Sequence, residues 1–270
     1  MEQPLDKLRN IMRDLDSVLV AFSGGVDSSF LLHVAHQVLG RRAQAITFIS
    51  PLFPQRERSR ATAFCKEQGV VQIMLEVSPL DVSEIRTNPR DRCYHCKRLL
   101  LSRGLEKARE MGIPHLIDGS HLGDAADPRP GRRALAELGI PSPLAEAGLD
   151  KENIRRLSRH LGLPSWDLPP MACLASRIPH GTPLDRQTLA RVEAAEEFLF
   201  SAGFRLVRVR DLRGSARIEL APEDIARLAD ESLRKRVLIH LQTLGYLLVS
   251  LDLEGYRAGK LNEQVAKLLL

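Results

Sequence analysis

The 270-residue chain is poor in aromatic side chains, with three Tyr, one Trp and eight Phe. None of its basic stretches is interleaved with aromatics, so the stacking platform used for non-specific single-strand binding is missing. No run of about 18 apolar residues occurs, which excludes a membrane-spanning helix on length. Cysteine is scarce, at four residues, and the chain is not short, so a disulfide scaffold is not expected. The opening segment, MEQPLDKLRNIMRDLD, is charged and amphipathic rather than a basic stretch followed by an apolar core. No signal peptide is expected from it, and the cytoplasm is the expected compartment. Internal repeats and low-complexity tracts are absent as well.

What remains is a globular composition, 44% hydrophobic and 27% charged, long enough for one large or two modest domains with a real core. A net charge of +5 favours an anionic partner: a nucleotide, a phosphorylated small molecule or RNA. The first half alternates buried, β-rich runs with helix-length stretches. The runs are SVLVAF (17–22), AQAITFI (43–49), VVQIMLEV (70–77) and PHLIDGS (114–120). That alternation predicts an α/β fold with a doubly wound parallel sheet. A further helix is expected over 150–162, opened by an acidic cap candidate. Residues 163–185, rich in Pro and Gly, read as a long loop, and such loops are linkers or functional segments. A long helix (186–202), two strands and a late strand then predict a smaller α+β domain. The expected division is 1–165, an active-site loop over 166–185, and 186–270.

The most informative stretch is VLVAFSGGVDSSFLL (18–32), a strand that runs through SGGVDSS into a helix. Ligands of open α/β sheets bind at the carboxyl ends of strands, where this loop falls. Gly24 and Gly25 let the backbone turn and approach a phosphate. The helix N-terminus adds N–H donors and a favourable dipole. Ser23, Ser28 and Ser29 add hydroxyls, and Asp27 is suited to orient magnesium. The lysine of a Walker loop is absent.

SGGVDSS resembles the pyrophosphatase (PP) loop of the ATP-pyrophosphatase superfamily, whose members split ATP between the α and β phosphates and adenylate an oxygen of their substrate. NPRDRCYHCKRLLL (88–101), DGSHLGDAADPRPGRRALAELGIPSPLAEAGLDKENIRRLSRHLGLPSWD (118–167) and ACLASRIPHGTPL (172–184) are similar to the LarE family of ATP-dependent sulfurtransferases. That family serves biosynthesis of the nickel-pincer nucleotide cofactor of lactate racemase. The resemblance implies ATP and Mg2+ as cofactors and pyridinium-3,5-biscarboxylic acid mononucleotide as substrate, adenylated and then converted to thiocarboxylates. It further implies nucleotide contacts by Asp118, Asp124 and Arg129, substrate-phosphate contacts by Arg208 and Arg210, and a homo-oligomer, trimer or hexamer. Within SHLGD, His121 and Gly123 depart from the family pattern.

Family members obtain sulfur in two ways. Some sacrifice a single cysteine in the ACLASR loop, leaving dehydroalanine, whereas others hold a [4Fe-4S] cluster on three cysteines and use a sulfide donor. Cys93 and Cys96, at i and i+3, place two thiolates on one side of a turn, and Cys173 would be the third ligand. A structural zinc with His95 or His180 as fourth ligand, a redox pair at Cys93 and Cys96, and a sacrificial Cys173 remain alternatives. Cys65, inside an expected helix, reads as packed core.

Arg208 and Arg210 alternate on a strand and so share a face. Arg177 and Ser176, beside Cys173, are candidates for the reacting carboxylate or adenylate, and Lys97 for phosphate or for keeping thiolates deprotonated. Glu196 and Glu197 read as helix-surface residues, Glu219 as a candidate ligand of the second domain, His33 and His36 as structural, and Trp166 as a loop anchor. Three other functions fit the loop: thiolation of tRNA, against which no RNA-binding appendage is evident, ammonia-dependent adenylating synthesis, and a non-enzymatic regulator that binds ATP without cleaving it.

Overall fold

The structure, a computed structural model, describes residues 3–123 and 130–257. Asp124 and Arg129 lie outside the described residues. The chain divides into two compact units: residues 1–85 with 90–171, and residues 86–89 with 172–270. The boundary therefore falls inside the loop expected at 166–185, and a four-residue piece of the earlier sequence belongs to the second unit.

In the first unit the elements run α1 (Gln3–Leu15), β1 (Val18–Ala21), α2 (Val26–Leu39), β2 (Ala43–Ile49), α3 (Gln55–Gln68) and β3 (Gln72–Glu76). They continue with α4 (Ser83–Arg86), α5 (Arg92–Glu110), β4 (His115–Ile117), α6 (Pro130–Glu137), α7 (Pro143–Glu146) and α8 (Lys151–His160). The four strands form a parallel sheet in the order β3-β2-β1-β4. Alternation along β1 sends Val18 and Val20 into one core and Leu19 into another. The first core takes side chains of α1, α2 and α8, and the second those of α5 and α6, so helices cover both faces. The amphipathic opening segment is α1, which buries Leu5, Leu8 and Met12 on one stripe. Each such burial contributes roughly 1.5–3 kcal/mol, which holds a helix too short to persist alone in water. Asp150 caps α8 by accepting from the Asn153 N–H at 2.8 Å. Gly69, at φ +67°, ends α3.

In the second unit α9 (Arg186–Ser201) is followed by β5 (Val207–Leu212), β6 (Ser215–Leu220), α10 (Ile225–Leu228), α11 (Glu231–Thr243) and β7 (Leu248–Leu251). β5 and β6 are antiparallel, joined by Arg213 and Gly214, both at positive φ as a two-residue hairpin requires. β6 pairs with β7 in parallel. Val207 and Val209 of β5 pack with Ala195 and Leu199 of α9 and with Val237 and Leu241 of α11. Among the described residues no helix is long and apolar enough to cross a membrane.

Candidate active site

The SGGVDSS loop leaves the carboxyl end of β1 and enters α2. Gly24 sits at φ +75°, and a Cβ there would lie 3.1 Å from the Ala61 backbone of α3, so the position demands glycine on two counts. Gly25 caps α2 without any side-chain cap, which leaves the first helical N–H groups to an external acceptor. The Ser28 hydroxyl lies 3.2 Å from that of Ser23 and donates to the Gly25 carbonyl at 3.4 Å. Ser29 is fully buried, its hydroxyl makes no hydrogen bond, and its N–H closes the first helical turn onto the Gly25 carbonyl. α2 turns the Ser29 hydroxyl into the core, whereas Ser28 lines the cavity described next. Gly119, after β4, approaches the loop backbone so closely that a Cβ would stand 3.2 Å from the Ser28 N and Cα.

These segments wall a cavity of about 440 Å3, within the range of roughly 300–1,000 Å3 usual for small-molecule sites. Ser23, Gly25, Asp27 and Ser28 line it from the loop, Asp118 and Gly119 from the end of β4, and Cys93 and Lys97 from α5. Cys93 and Lys97, at i and i+4, share one face of α5. The Lys97 ammonium lies 3.2 Å from Asp118 Oδ2, and Asp118 Oδ1 accepts from the Ser120 N–H at 2.8 Å. Asp27 is met by Lys151, at the start of α8, whose Nζ donates to both carboxylate oxygens at 2.7 and 2.6 Å. Nothing local in the sequence pointed to Lys151, which stands 124 residues from its partner.

None of the four cysteines is in a disulfide. Cys93 is exposed, Cys96 and Cys173 are half-buried, and Cys65 is buried in the core, where burial pushes its thiol up to about 12. Cys65 is thus a thiol at neutral pH, as its reading as core implied. Cys93 and Cys96 lie in the first turns of α5, one turn apart, with the buried Arg92 guanidinium 3.8 Å from the Cys93 sulfur. Among the described residues no three His, Cys, Asp or Glu side chains gather as a metal site. His95 instead faces Asp91 at 3.2 Å. His33 and His36 make local contacts, to the Gln68 side chain at 2.7 Å and to the Gly40 carbonyl at 3.0 Å. Trp166 is half-buried, with the Arg159 guanidinium 4.9 Å from its ring centre.

In the second unit Cys173 precedes a 3-10 turn, Leu174–Arg177. Arg177 is buried and donates through Nε and Nη2 to the two Glu196 oxygens, each at 2.9 Å. Its Nη1 donates to the Ala172 and Cys173 carbonyls, and the Ser176 hydroxyl donates to the Cys173 carbonyl at 2.8 Å. Arg177, a candidate for the reacting carboxylate or the adenylate, pairs with Glu196 and holds the Cys173 loop through its carbonyls. Glu196, expected on the surface, is buried and also accepts the Val209 N–H at 3.0 Å, whereas Glu197 is exposed. The period of α9 explains this, since Leu189, Val192, Glu196 and Leu199 form its buried stripe.

Arg208 and Arg210 share the expected face of β5, and both are buried. Arg210 donates to Glu219 at 2.6 Å and to the Ser176 carbonyl at 2.7 Å, and its Nε is buried without a hydrogen bond. Glu219, fully buried, also pairs with Arg217 at 3.2 Å. Arg208 lies over the Tyr256 ring, 5.2 Å from its centre. Burial first, then the neighbouring Arg177 charge, draws the Arg208 guanidinium below its usual range, an environment that an anion would relieve.

A glycine turn at the carboxyl edge of a parallel sheet, opening on a cavity lined by Asp27, Asp118 and Lys97, is the build of the PP-loop class. The chain is 39% identical over 258 residues to the pyridinium-3,5-bisthiocarboxylic acid mononucleotide synthase of Lactiplantibacillus plantarum, covering 95% of this chain and 92% of that one. It is also 39% identical, over 267 residues, to an uncharacterized protein of Synechocystis, covering 99% of this chain and all of that protein. The B subunit of the glutamine-hydrolyzing GMP synthase of Archaeoglobus fulgidus is 25% identical over 174 residues, 61% of this chain and 56% of that subunit. No family model matches. The chain belongs to the family of the Lactiplantibacillus synthase, the LarE family of ATP-dependent sulfurtransferases.

Proposed function

We propose that this enzyme adenylates the carboxylates of pyridinium-3,5-biscarboxylic acid mononucleotide and converts them to thiocarboxylates. The observation that carries the proposal is one cavity lined by the PP-loop, by Lys97 and by the Cys93 thiol. A phosphate-binding loop and a cysteine in the same wall suit sulfur delivery to an adenylate better than ammonia chemistry, which has no use for the thiol.

A carboxylate is a poor electrophile because oxide is a poor leaving group. In the proposed reaction a carboxylate oxygen attacks the α-phosphorus of ATP and pyrophosphate departs. Sulfide then attacks the acyl carbon, the C–O bond to AMP breaks, and a thiocarboxylate remains. The loop N–H groups with Ser23 and Ser28 would hold the departing pyrophosphate. Lys97 would offset charge at the α-phosphate, while Asp27 and Asp118 would take the magnesium that accompanies ATP. Asp124 and Arg129 stay with the nucleotide in this scheme, and Arg208 and Arg210 with the substrate phosphate.

Cys93, Cys96 and Cys173 are the proposed ligands of a [4Fe-4S] cluster. Two corners on one accessible turn of α5 fit such a group, and the third comes from the loop of the second unit. When bound, a cluster of this kind supplies renewable sulfide from an external donor. A second reading is favoured by the anchoring of the Cys173 loop by Arg177 and Ser176, which holds a single sulfur in a fixed place. Cys173 Sγ would then attack the acyl carbon and displace AMP, and elimination from the resulting thioester, with loss of the cysteine α-proton and cleavage of the Cβ–S bond, would leave the thiocarboxylate on the substrate and dehydroalanine in the chain.

Iron and acid-labile sulfide per chain, after anaerobic purification of wild type and Cys96→Ala, separate the two. About four of each in wild type, lost in the variant, is the expected result. Absence of both after reconstitution, with Cys173 lighter by the mass of hydrogen sulfide after turnover, would replace the cluster by the sacrificial route. Substrate-dependent pyrophosphate release tests the adenylation itself, and ammonium-dependent or tRNA-dependent release would overturn the substrate. Sedimentation of the same preparation reads the expected homo-oligomer.

A further inference from the structure

The cavity wall changes character along α5, from Cys93 and Lys97 near its start to Leu100 and Leu101 one turn further on. Phe22, Phe48 and Phe53 add to the apolar stretch, which suits a planar heteroaromatic base. Thr47 of β2, only 4% exposed, also lines the cavity. β2 lies between β1 and β3, and the Thr47 hydroxyl has a partner from each side. It donates to the Phe22 carbonyl at 2.9 Å and accepts from Gln72 Nε2 at 2.8 Å. A carbonyl can only accept, so the one hydroxyl hydrogen is spent on Phe22. One lone pair is spent on Gln72, and one lone pair is left. Whatever reaches this hydroxyl from the cavity therefore meets an acceptor and no donor.

We infer that Thr47 sets the base specificity of this site, its remaining lone pair accepting the 6-amino group of adenine. The inference rests on the PP-loop reading above and extends it from the phosphates to the base. The loop grips a polyphosphate, which every nucleoside triphosphate carries, so base selection falls to another part of the wall. Adenine offers a donor at its 6-position, whereas guanine and hypoxanthine present an oxygen there. That oxygen would face the Thr47 lone pair in a buried site, acceptor against acceptor, with no water to relieve either. Gln72 is the positioning residue: its amide keeps the hydroxyl hydrogen on Phe22, so that no donor turns toward a 6-oxo base. Neither residue belongs to the loop motif, and neither touches the phosphates in this scheme.

Calorimetric titration of the full chain with AMP, IMP and inorganic pyrophosphate, each with magnesium, tests this. Wild type is expected to bind AMP at least about 30-fold tighter than IMP. Thr47→Val, of similar shape but without the hydroxyl, should weaken AMP about 10-fold, the worth of one hydrogen bond, and bring the AMP-to-IMP ratio within about threefold. Pyrophosphate affinity should stay within about twofold in that variant, because the phosphates bind elsewhere in the cavity. Purine riboside monophosphate, which carries only hydrogen at position 6, makes the same deletion on the ligand and needs no variant. It should bind wild type about 10-fold more weakly than AMP. Thr47→Ser keeps the hydroxyl and should keep the preference for AMP. A Thr47 that serves only the fold would weaken AMP and IMP together in Thr47→Val and leave their ratio where it was, which would overturn the inference. Equal binding of AMP and IMP, or of AMP and purine riboside monophosphate, by wild type would overturn it as well. Wild type that binds neither pyrophosphate nor ATP would instead overturn the PP-loop reading itself, and this inference with it.

Discussion

In the first unit Asp27 and Asp118 meet Lys151 and Lys97 at the wall of an open cavity, with 26% and 13% of the two carboxylate side chains exposed. In the second unit Glu196 and Glu219 meet Arg177 and Arg210 at 4% and 0% exposure. The residue types follow the setting. Lysine, a flexible point charge, makes the more exposed pairs; arginine, a planar fork that satisfies a carboxylate with two bonds, makes the buried ones. A screened pair contributes about 0–1 kcal/mol and can be exchanged for a ligand. A buried pair adds little over an apolar one, but losing one partner strands a charge.

Three substitutions and one control would break or sharpen that contrast. Glu196→Ala should have the largest effect on stability, about 3–5 kcal/mol, because it strands the Arg177 guanidinium and the Val209 N–H together. Hydrogen exchange at the β5 amides under native conditions measures the loss in that unit. Gly24→Ala comes next, at about 1–2 kcal/mol for the positive φ alone, with the contact to Ala61 added. Gly69→Ala is its control, since it shares the positive φ but meets nothing within 4 Å. The difference between the two in urea unfolding isolates the crowding; equal losses would mean that α3 gives way freely. Smallest in stability is Lys97→Ala, within about 1 kcal/mol, because its pair is screened. In the same variant pyrophosphate release should fall about 100-fold, the scale of removing one preorganised charge from a reacting phosphate. A stability loss as large as that of Glu196→Ala would erase the distinction between the two kinds of pair.

Most of the first unit was legible because its signals are local. AQAITFI is β2 to the residue, Asp150 caps the helix expected after it, and the SGGVDSS string, set after a strand, joins β1 to α2 as its sequence implied. Cys65 could be placed in the core from its position in a helix, and the α+β character of the second unit from its three strands. What was missed depends on partners far along the chain. Lys151 has meaning only opposite Asp27, and Arg177 only opposite Glu196, whose neighbour Glu197 has the same side chain and the opposite fate. Glu196 was recoverable, because a helical period drawn through Leu189, Val192 and Leu199 passes through it. Ser29 was not separable from Ser28 by the motif; the turn of α2 divides them, one hydroxyl in the loop and one in the core.

Residues Arg86–Pro89 give the second unit an outlying piece. Asn88, fully buried at φ +56°, donates from its side chain to the Ile178 and Pro179 carbonyls at 3.3 and 2.9 Å and accepts the Gly181 N–H at 2.9 Å. The Arg86 carbonyl accepts the Leu184 N–H at 2.8 Å. A fragment begun at Ala172 would thus lack the strip onto which its own entry loop is stitched. Neither unit can be inherited, shuffled or excised as one uninterrupted stretch of gene. An excised second unit stays whole only if residues 86–89 travel with it.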